Sequence, residues 1–352
     1  MKRSHYEDLR LFATVPFGLW LLVCVSILGL APLVLGNYGL YLLGYMAINV
    51  MVAAGLNVLV GFTGQISLGH AGFFAIGAYG TVLISQAGAP ILLALLAAGL
   101  VAAAFGFLLG LPALRLEGPY LAVITLGFGL AIENILARAP VFGGATGPSV
   151  PGFSVVMWPG LSAEQNLYYL IMVLMGLSLL ALRNLMHTRV GRAFVALRDS
   201  DVAAACAGVN LTVFKTLAFA LSAFLTGIAG GLFAFHLGQI DPTSFNLMLS
   251  ILFLVMVVIG GSGSLLGPVL GAIVISWLNL KLKGLRLSDF ERLPGFGTEI
   301  AAFLNRHFME TGMANIQFIV YGMILVLIMI FEPLGLYGLW LRSKRYWRSW
   351  PF

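Results

Sequence analysis

The chain has 352 residues, of which 60% are hydrophobic and only 9% are charged, and its formal net charge is +6. A soluble domain carries roughly 25% charged residues, so these residues do not build a water-facing surface, and lipid must be the main solvent. The excess of basic residues indicates contact with anionic membrane lipid, and no nucleic-acid partner is needed to explain it.

Ten apolar segments of 14 to 25 residues follow one another, and a helix of roughly 20 residues crosses the hydrocarbon of a bilayer. Their apolar runs are continuous, whereas the strands of a membrane barrel alternate apolar and polar residues. The predicted fold is therefore an all-α, polytopic membrane bundle, formed by residues 1–352 as a single domain. The predicted spans are residues 17–35, 41–60, 66–85, 91–111, 119–136, 167–182, 212–236, 247–260, 265–280 and 316–331.

Two glycine-rich breaks between these spans, at residues 61–65 and 261–264, are open to two interpretations. Each is either a tight turn between two spans or an interruption inside one discontinuous helix. The first apolar segment is longer than the apolar region of a signal peptide, which has about 7–15 residues. We therefore expect it to remain as the first helix of the bundle, which extends over residues 17–332.

Lysine and arginine collect in residues 1–16, in the segment 183–215 and in the tail at 333–352. Basic loops stay in the cytoplasm, so an even number of crossings is expected, with both termini cytoplasmic. Ten spans satisfy this condition and place the loop at 138–165, with Arg138 as its one basic residue, outside. The loop at 281–315 also falls outside, although its basic residues count against this topology.

Motifs for energy coupling and for catalysis are absent from the sequence. There is no G-x-x-x-x-G-K-[ST] phosphate loop, so the chain is not expected to bind ATP or another cofactor. The ionisable residues within the spans are His70, Glu133, Lys215 and His236, too few for a proton relay. No paired carboxylates, nucleophile–base arrangement or metal-ligand spacing indicates an enzyme or a metal site. Transport by such a chain requires energy from a partner.

The segment at residues 189–215 is amphipathic, and its apolar stripe is predicted to hold Val190, Phe194, Leu197 and Val202. A short helix, small alanines and a glycine turn suit a rigid lever that docks in a groove of another protein. The alternative is an amphipathic helix that lies on the membrane surface. The candidate coupling residues, within a loop at 184–211, are Arg192, Arg198, Asp199, Asp201, Ala203, Ala204 and Gly208.

Residues 55–80 contain too many glycines for an ordinary lipid-facing helix, and polar side chains cluster at the break. Unpaired backbone groups at such a break are tolerated where they line a cavity or are buried in protein, and transporters often bind substrate there. The alternative is close helix packing, with His70 hydrogen-bonded inside the bundle. Residues 260–268 repeat part of this glycine-rich pattern more weakly. Thr125, Gly129 and Glu133 follow one another at intervals of four residues and so share one helical face. The candidate pathway residues are Gly64, Gln65, Ser67, Gly69, His70, Thr125, Gly129, Gly261 and Gly263.

Several motifs resemble the Liv-type family of branched-chain amino acid ABC permeases, of the M kind. They are G-x-x-G-Q-x-S-L-G-H-A-x-F at residues 61–73 and G-R-A-x-x-A-x-R-D-x-x-x-A-A-x-x-x-G-V-N at 191–210. The resemblance covers roughly residues 55–338. Val202 stands where the coupling loop of ABC permeases has Glu, and residues 143–148 and 281–315 also depart from the family pattern.

This resemblance implies an inner-membrane permease with a cytoplasmic coupling helix, which moves leucine, isoleucine or valine by alternating access. It also implies a second, homologous permease in a heterodimer, two cytoplasmic ATPases that use ATP, and an extracytoplasmic substrate-binding protein. Two alternatives stay open: an ABC permease for urea, short amides or a sugar, and a channel or secondary transporter that acts alone. The latter is less favoured, because the chain has few intramembrane ionisable groups and carries a docking-like loop.

Overall fold

The computed structural model describes residues 26–114, 116, 118–153 and 160–284, together with 322–323, 326–327, 330, 332 and 335–349. These residues form helices joined by loops, with one isolated β-bridge between Ser149 and Gln239. The all-α prediction is therefore confirmed for the described part of the chain. Residues 17–25 of the predicted first span, most of the predicted span at 316–331 and all but the start of the loop at 281–315 lie outside the described residues.

The helices are numbered in chain order, after a helical stretch at residues 26–34. A π-helical turn, Val58–Phe62, continues the first of them. Their bounds are α1 (Asn37–Asn57), α2 (His70–Gln86), α3 (Ile91–Gly110), α4 (Pro119–Arg138), α5 (Ala163–Met186), α6 (Arg189–Asp199), α7 (Asp201–Cys206), α8 (Leu211–Leu237), α9 (Leu247–Gly260), α10 (Gly267–Gly284) and α11 (Gly335–Ser349).

Five helices of the described chain are long and apolar enough to cross a membrane, and α9 and α10 are shorter apolar helices. The five are Asn37–Phe62, Ile91–Leu114, Pro119–Arg138, Ala163–Met186 and Leu211–Leu237. The predicted span at 66–85 needs correction, because its helix begins only at His70. Gly64 turns the chain with a φ of +70°, and the residues that follow it up to Gly69 are not helical.

Helix α8 lies at the centre of the bundle and packs against α1, α2 and α3. Glycines permit its close contact with α2, since a Cβ at Gly77 would lie 1.9 Å from the carbonyl oxygen of Gly227. A Cβ at Gly230 would lie 2.0 Å from the carbonyl oxygen of Phe74. The glycine content therefore serves backbone-to-backbone packing, as is common in membrane helices.

Helices α1 and α2 run in opposite directions along α8. The contacts that define these directions are Gly44 with His236, Gly55 with Ser222, His70 with Ser222 and Thr81 with Gly231. The break at residues 61–65 is thus a connection between two antiparallel helices, and not an interruption of one straight helix. Its non-helical residues return from the end of the bundle to the level of Ser222, where α2 begins.

The second break, at residues 261–264, is a tight turn between α9 and α10. A Cβ at Gly271 of α10 would lie 1.9 Å from the carbonyl oxygen of Met256 in α9, so the two helices pack closely. Gly261 and Gly263 turn the chain with φ values of +109° and +79°. The two helices therefore form an antiparallel hairpin.

The loops collect at two ends of the bundle. We call one the coupling end: it holds residues 61–69, 112–114, 116, 118, 187–210 and 261–266, which meet around α6 and around the start of α8. At the opposite end, which we call the far end, the Gln86 Nε2 donates to the Ser149 carbonyl over 2.7 Å, and Ser149 bridges to Gln239. Large apolar side chains on α3, α4 and α5 are exposed, as a lipid-facing surface requires.

Candidate functional site

The basic segment of the coupling end folds as two short helices, α6 and α7, separated by Ser200. The Ser200 hydroxyl accepts from the Ala203 N–H and caps α7, a role for which serine is strongly preferred. Phe194 and Leu197 are buried, as the predicted apolar stripe requires. Val202, however, is 75% exposed. This part of the prediction is wrong, because the helix break at Ser200 places Val202 on a second helix with a different direction.

The turn after α7 reverses the chain into α8. Gly208 has a φ of +83°, a conformation that favours glycine, and its N–H donates to the Ala205 carbonyl. Asn210 then caps α8 by accepting from the Val213 N–H. Ala204 is 2% exposed and contacts the bundle, whereas Ala203 faces outward. The predicted helix and glycine turn are both present.

An ion pair joins α7 to α8. The Lys215 ammonium, on a residue only 5% exposed, bonds to the Oδ2 of Asp201. A buried ammonium without a partner is costly, so this pair holds α7 at a defined position on the bundle. The sequence shows Lys215 only as an ionisable residue within a predicted span, and its partner is evident only from the fold.

Arg198 of α6 lies against both glycine-rich turns. Its Nη1 donates to the Gly61 carbonyl over 2.8 Å, and a Cβ at Gly263 would lie 2.1 Å from the same nitrogen. Asn57 links the two turns, because its Oδ1 accepts from the Gly263 N–H at 3.0 Å and its Nδ2 donates to the Ser264 carbonyl at 2.9 Å. The basic segment and both helical hairpins therefore meet at Arg198.

The other predicted coupling residues occupy simpler positions. Arg192 and Asp199 are exposed on α6, and Gly208 is exposed in the turn. Together with Ala203 they form the outward surface of the segment. Arg198, Asp201 and Ala204 instead hold the segment to the bundle through the contacts described above.

A buried polar chain lies at the start of α2. The Ser222 hydroxyl donates to the Gly55 carbonyl over 2.7 Å, so its oxygen accepts from the His70 Nε2–H at 2.8 Å. The His70 Nδ1 then accepts from the Ser67 hydroxyl at 2.9 Å. All four polar partners are satisfied inside the bundle, which agrees with the interpretation of His70 as a hydrogen-bonded interior residue.

Three further pathway candidates form a packing seam between α4 and the break. Thr125 Oγ1 accepts from the Leu68 N–H at 3.0 Å, and a Cβ at Gly69 would lie 2.3 Å from the Thr125 carbonyl oxygen. Gly129, one turn further along α4, also lies against Gly69. The predicted face of α4 thus points into the bundle at Thr125 and Gly129, where it permits close approach of the backbones.

Gly64 and Gln65, the remaining candidates on the first break, line an open cavity of about 370 Å³ at the coupling end. Gln65 is 7% exposed, and neither its Oε1 nor its Nε2 has a hydrogen-bond partner. The other residues that line the cavity are Thr63, Ala113, Leu116, Gly118, Leu121, Leu197, Arg198, Ser200, Asp201, Val202 and Lys215. The nine pathway candidates therefore divide among this cavity, the polar chain, the packing seam and the turn at Gly261 and Gly263.

The match to known families decides what kind of protein carries this site. Residues 38–329 match the family described as the permease component of a branched-chain amino acid transport system. The chain belongs to this family. Its apolar helices and its family together make it a multi-pass membrane permease component.

Individual relatives of the permease agree with this family. It is 33% identical over 263 residues to the high-affinity branched-chain amino acid transport system permease protein LivM of Salmonella typhimurium and of Escherichia coli K12. These matches cover 68% of the chain and 55% of each LivM, so the chain spans about half the length of these relatives. A ribose import permease protein, RbsC of Haemophilus influenzae, is 31% identical over 114 residues, which are 31% of the chain and 35% of RbsC. No solved structure matches the chain.

Sequence patterns did not identify Asn57, Ser222 or Ser250, although each is buried and hydrogen-bonded. Ser250 of α9 accepts from the Ala71 N–H at 2.9 Å, next to the polar chain of His70. Asn57 could have been predicted from the sequence, since a polar amide within an apolar membrane span requires a hydrogen-bond partner. The two serines offered none, because hydroxyls in membrane helices commonly bond to the backbone of their own helix.

Proposed function

We propose that this chain is the transmembrane subunit of an ABC importer that carries branched-chain amino acids into the cell. The observation that carries the proposal is a pair of contacts: Arg198 of α6 lies against both glycine-rich turns, and the Asp201–Lys215 pair joins α7 to α8. An external motor that moves these two short helices acts directly on α8 and on both hairpins. The family of the chain and its LivM relatives support the same cargo class.

The proposed assembly contains a second, homologous permease, two cytoplasmic ATP-binding subunits and an extracytoplasmic substrate-binding protein. ATP is used by the ATP-binding subunits, while this chain binds no cofactor and catalyses no reaction. We place the protein in the bacterial inner membrane with ten spans, and with both termini and the coupling end in the cytoplasm. The basic residues of the segment at 183–215 support this sidedness.

The proposed mechanism transmits motion through α8. Closure of the ATP-binding subunits displaces α7, and the ion pair with Lys215 passes the displacement to α8. Helix α8 carries Ser222, whose hydrogen bond to His70 links it to the start of α2. Arg198 moves the two turns at the same time, through its contacts with Gly61 and Gly263. Packed helices have discrete arrangements, so the bundle changes between inward and outward access.

A different small solute is the second candidate for the cargo. The match to the ribose permease RbsC of Haemophilus influenzae supports this candidate, but it covers 31% of the chain, compared with 68% for the LivM match. We therefore favour amino acids. Ligand binding by the co-purified substrate-binding protein tests the cargo, with leucine, isoleucine and valine compared against ribose and urea.

Transport by the reconstituted complex tests the role of α7. Ala203 is exposed on α7, so Ala203→Trp adds bulk on the outward surface without entering the bundle. We expect this variant to insert and assemble in the membrane normally but to lose ATP-driven leucine uptake. Ala104→Trp is the matched control, because Ala104 is exposed on the apolar face of α3. Tryptophan is tolerated at a lipid-facing position, and uptake should persist.

Three results would count against the proposal. Normal uptake by Ala203→Trp would remove α7 from the coupling mechanism. Leucine transport by the purified chain in liposomes, without ATPases, would support a channel or secondary transporter instead. Binding of ribose or urea, but not of branched-chain amino acids, by the partner protein would change the cargo class.

A further inference from the structure

We infer that the cavity at the coupling end is an exit site that binds the zwitterion of a free aliphatic α-amino acid. The inference rests on the proposed function and adds to it a second binding step, on the cytoplasmic side and within this chain. The cavity is lined by residues of the first break, of α4, of α6 and α7, and of α8.

Gln65 indicates that the cavity takes a polar ligand. A primary amide has two donors and an acceptor with two lone pairs, and an amide that is buried without partners destabilises the protein. Both polar atoms of Gln65 are buried without partners, whereas the hydroxyls of Thr63 and Ser67, two residues to either side, are hydrogen-bonded. A ligand that both donates and accepts hydrogen bonds satisfies this amide, and an amino acid does so with its ammonium and carboxylate groups.

The charged residues of the cavity match both ends of a zwitterion. Lys215 bonds to the Oδ2 of Asp201, which leaves the Oδ1 to accept from a ligand ammonium. Arg198 uses Nη1 for the Gly61 carbonyl, and a guanidinium has five N–H donors, so others remain for a carboxylate. Charged groups of both signs at one cavity favour a zwitterion over a sugar or an anion.

The rest of the lining suits an aliphatic side chain. Its apolar members are Ala113, Leu116, Leu121, Leu197 and Val202. The volume of about 370 Å³ lies within the range of about 300–1,000 Å³ that small-molecule sites occupy. A lining that combines charged, amide and aliphatic groups provides for a residue such as leucine.

The cavity lies where a bound amino acid can affect the movement of α6 and α7. One wall is the coupling segment, and the opposite wall is the bundle, so displacement of α6 and α7 changes the width of the cavity. A bound amino acid bridges the two walls and opposes that displacement. Amino acid on the cytoplasmic side is therefore expected to slow transport, which links uptake to the internal pool.

Equilibrium binding of radiolabelled leucine to the purified complex, without its substrate-binding protein, tests the site. We expect saturable binding that Gln65→Leu weakens by about tenfold or more, because the variant removes the amide's hydrogen bonds. Gln86→Leu is the matched control, since Gln86 is an exposed glutamine at the far end of α2. Leucinol, which lacks the carboxylate, and 4-methylpentanoate, which lacks the ammonium, should compete poorly. Gln65→Asn serves as the second variant if Gln65→Leu does not assemble.

A transport assay on the same preparations separates this inference from the proposed function. With the substrate-binding protein restored, leucine on the ATPase side should slow uptake by the wild type, and Gln65 variants that retain uptake should escape this effect. Uptake without saturable binding, or binding unchanged in both Gln65 variants, would overturn the inference and leave the proposed function intact. Equal competition by leucinol would overturn the zwitterion assignment, and absence of leucine uptake altogether would overturn both proposals.

Discussion

Removal of the Asp201 carboxylate should release α7 from the bundle. In the wild type Lys215 is 5% exposed, and Asp201→Ala removes the partner of its ammonium. Breaking a fully buried ion pair costs about 3–5 kcal/mol, and a surface pair contributes about 0–1 kcal/mol. The side chain of Asp201 is 25% exposed and that of Lys215 is 6% exposed, so we expect a value between these limits, about 2 kcal/mol.

Hydrogen exchange of the α7 amides measures this release directly, because it reports local opening and does not require global unfolding. A loss of about 2 kcal/mol corresponds to roughly thirtyfold faster exchange at residues 203–207. Arg192→Ala is the control, since Arg192 is exposed on α6 and should leave exchange in α7 unchanged.

The double variant decides whether the ion pair is the cause. Lys215→Met removes the buried charge, so Asp201→Ala combined with Lys215→Met should exchange more slowly than Asp201→Ala alone. If the double variant equals the sum of the two single variants, the residues do not interact and the reasoning is refuted. Unchanged exchange in Asp201→Ala would also refute it.

Two further predictions concern helix packing and the far end. Gly77→Ala should destabilise the protein by about 1–3 kcal/mol, because the added Cβ meets the Gly227 carbonyl. Gly127→Ala is the control, since Gly127 has open space around it and its replacement should be neutral or stabilising. Thermal unfolding in detergent compares the two variants, and equal stability would contradict the close packing at Gly77. Burial raises the pKa of Asp241, but hydrogen bonds from Thr243 and Ser244 outweigh it and hold the pKa below 3.8. This carboxylate therefore stabilises the far end above pH 3.8, and the contribution is lost as the pH falls through the lower folded value. Hydrogen exchange of residues 241–246 should show that loss in the wild type but not in Asp241→Asn.

Charge and periodicity in the sequence predicted the structure well where local residues determine it, as at helix ends and turns. Threonine and serine cap the helices at 189–199 and 201–206, and glycine forms the turn at Gly208. Each of these residue types is favoured at its position. The prediction that Val202 belongs to the apolar stripe was wrong, because Ser200 ends one helix and caps the next. Such caps are visible in a sequence, but the direction of the new helix is not.

The glycine-rich breaks show a different limit. Both interpretations of residues 61–65 agreed with the sequence, because glycine permits a turn and an interrupted helix equally well. The contacts of α1 and α2 with α8 decide for a connection between antiparallel helices. The weak similarity between residues 55–80 and 260–268 indicated both turns, yet only the fold places them side by side at Arg198.

The sequence by itself determined that this chain belongs in a membrane, that its spans are helical and that residues 189–215 differ from the rest. These properties follow from composition and local pattern, which act over one or two turns of helix. The tertiary structure decided which distant residues meet: Asp201 with Lys215, His70 with Ser222, and Asn57 with Gly263. Hydrogen bonds and ion pairs of this kind join residues on different helices, and their formation depends on the packing of the bundle as a whole.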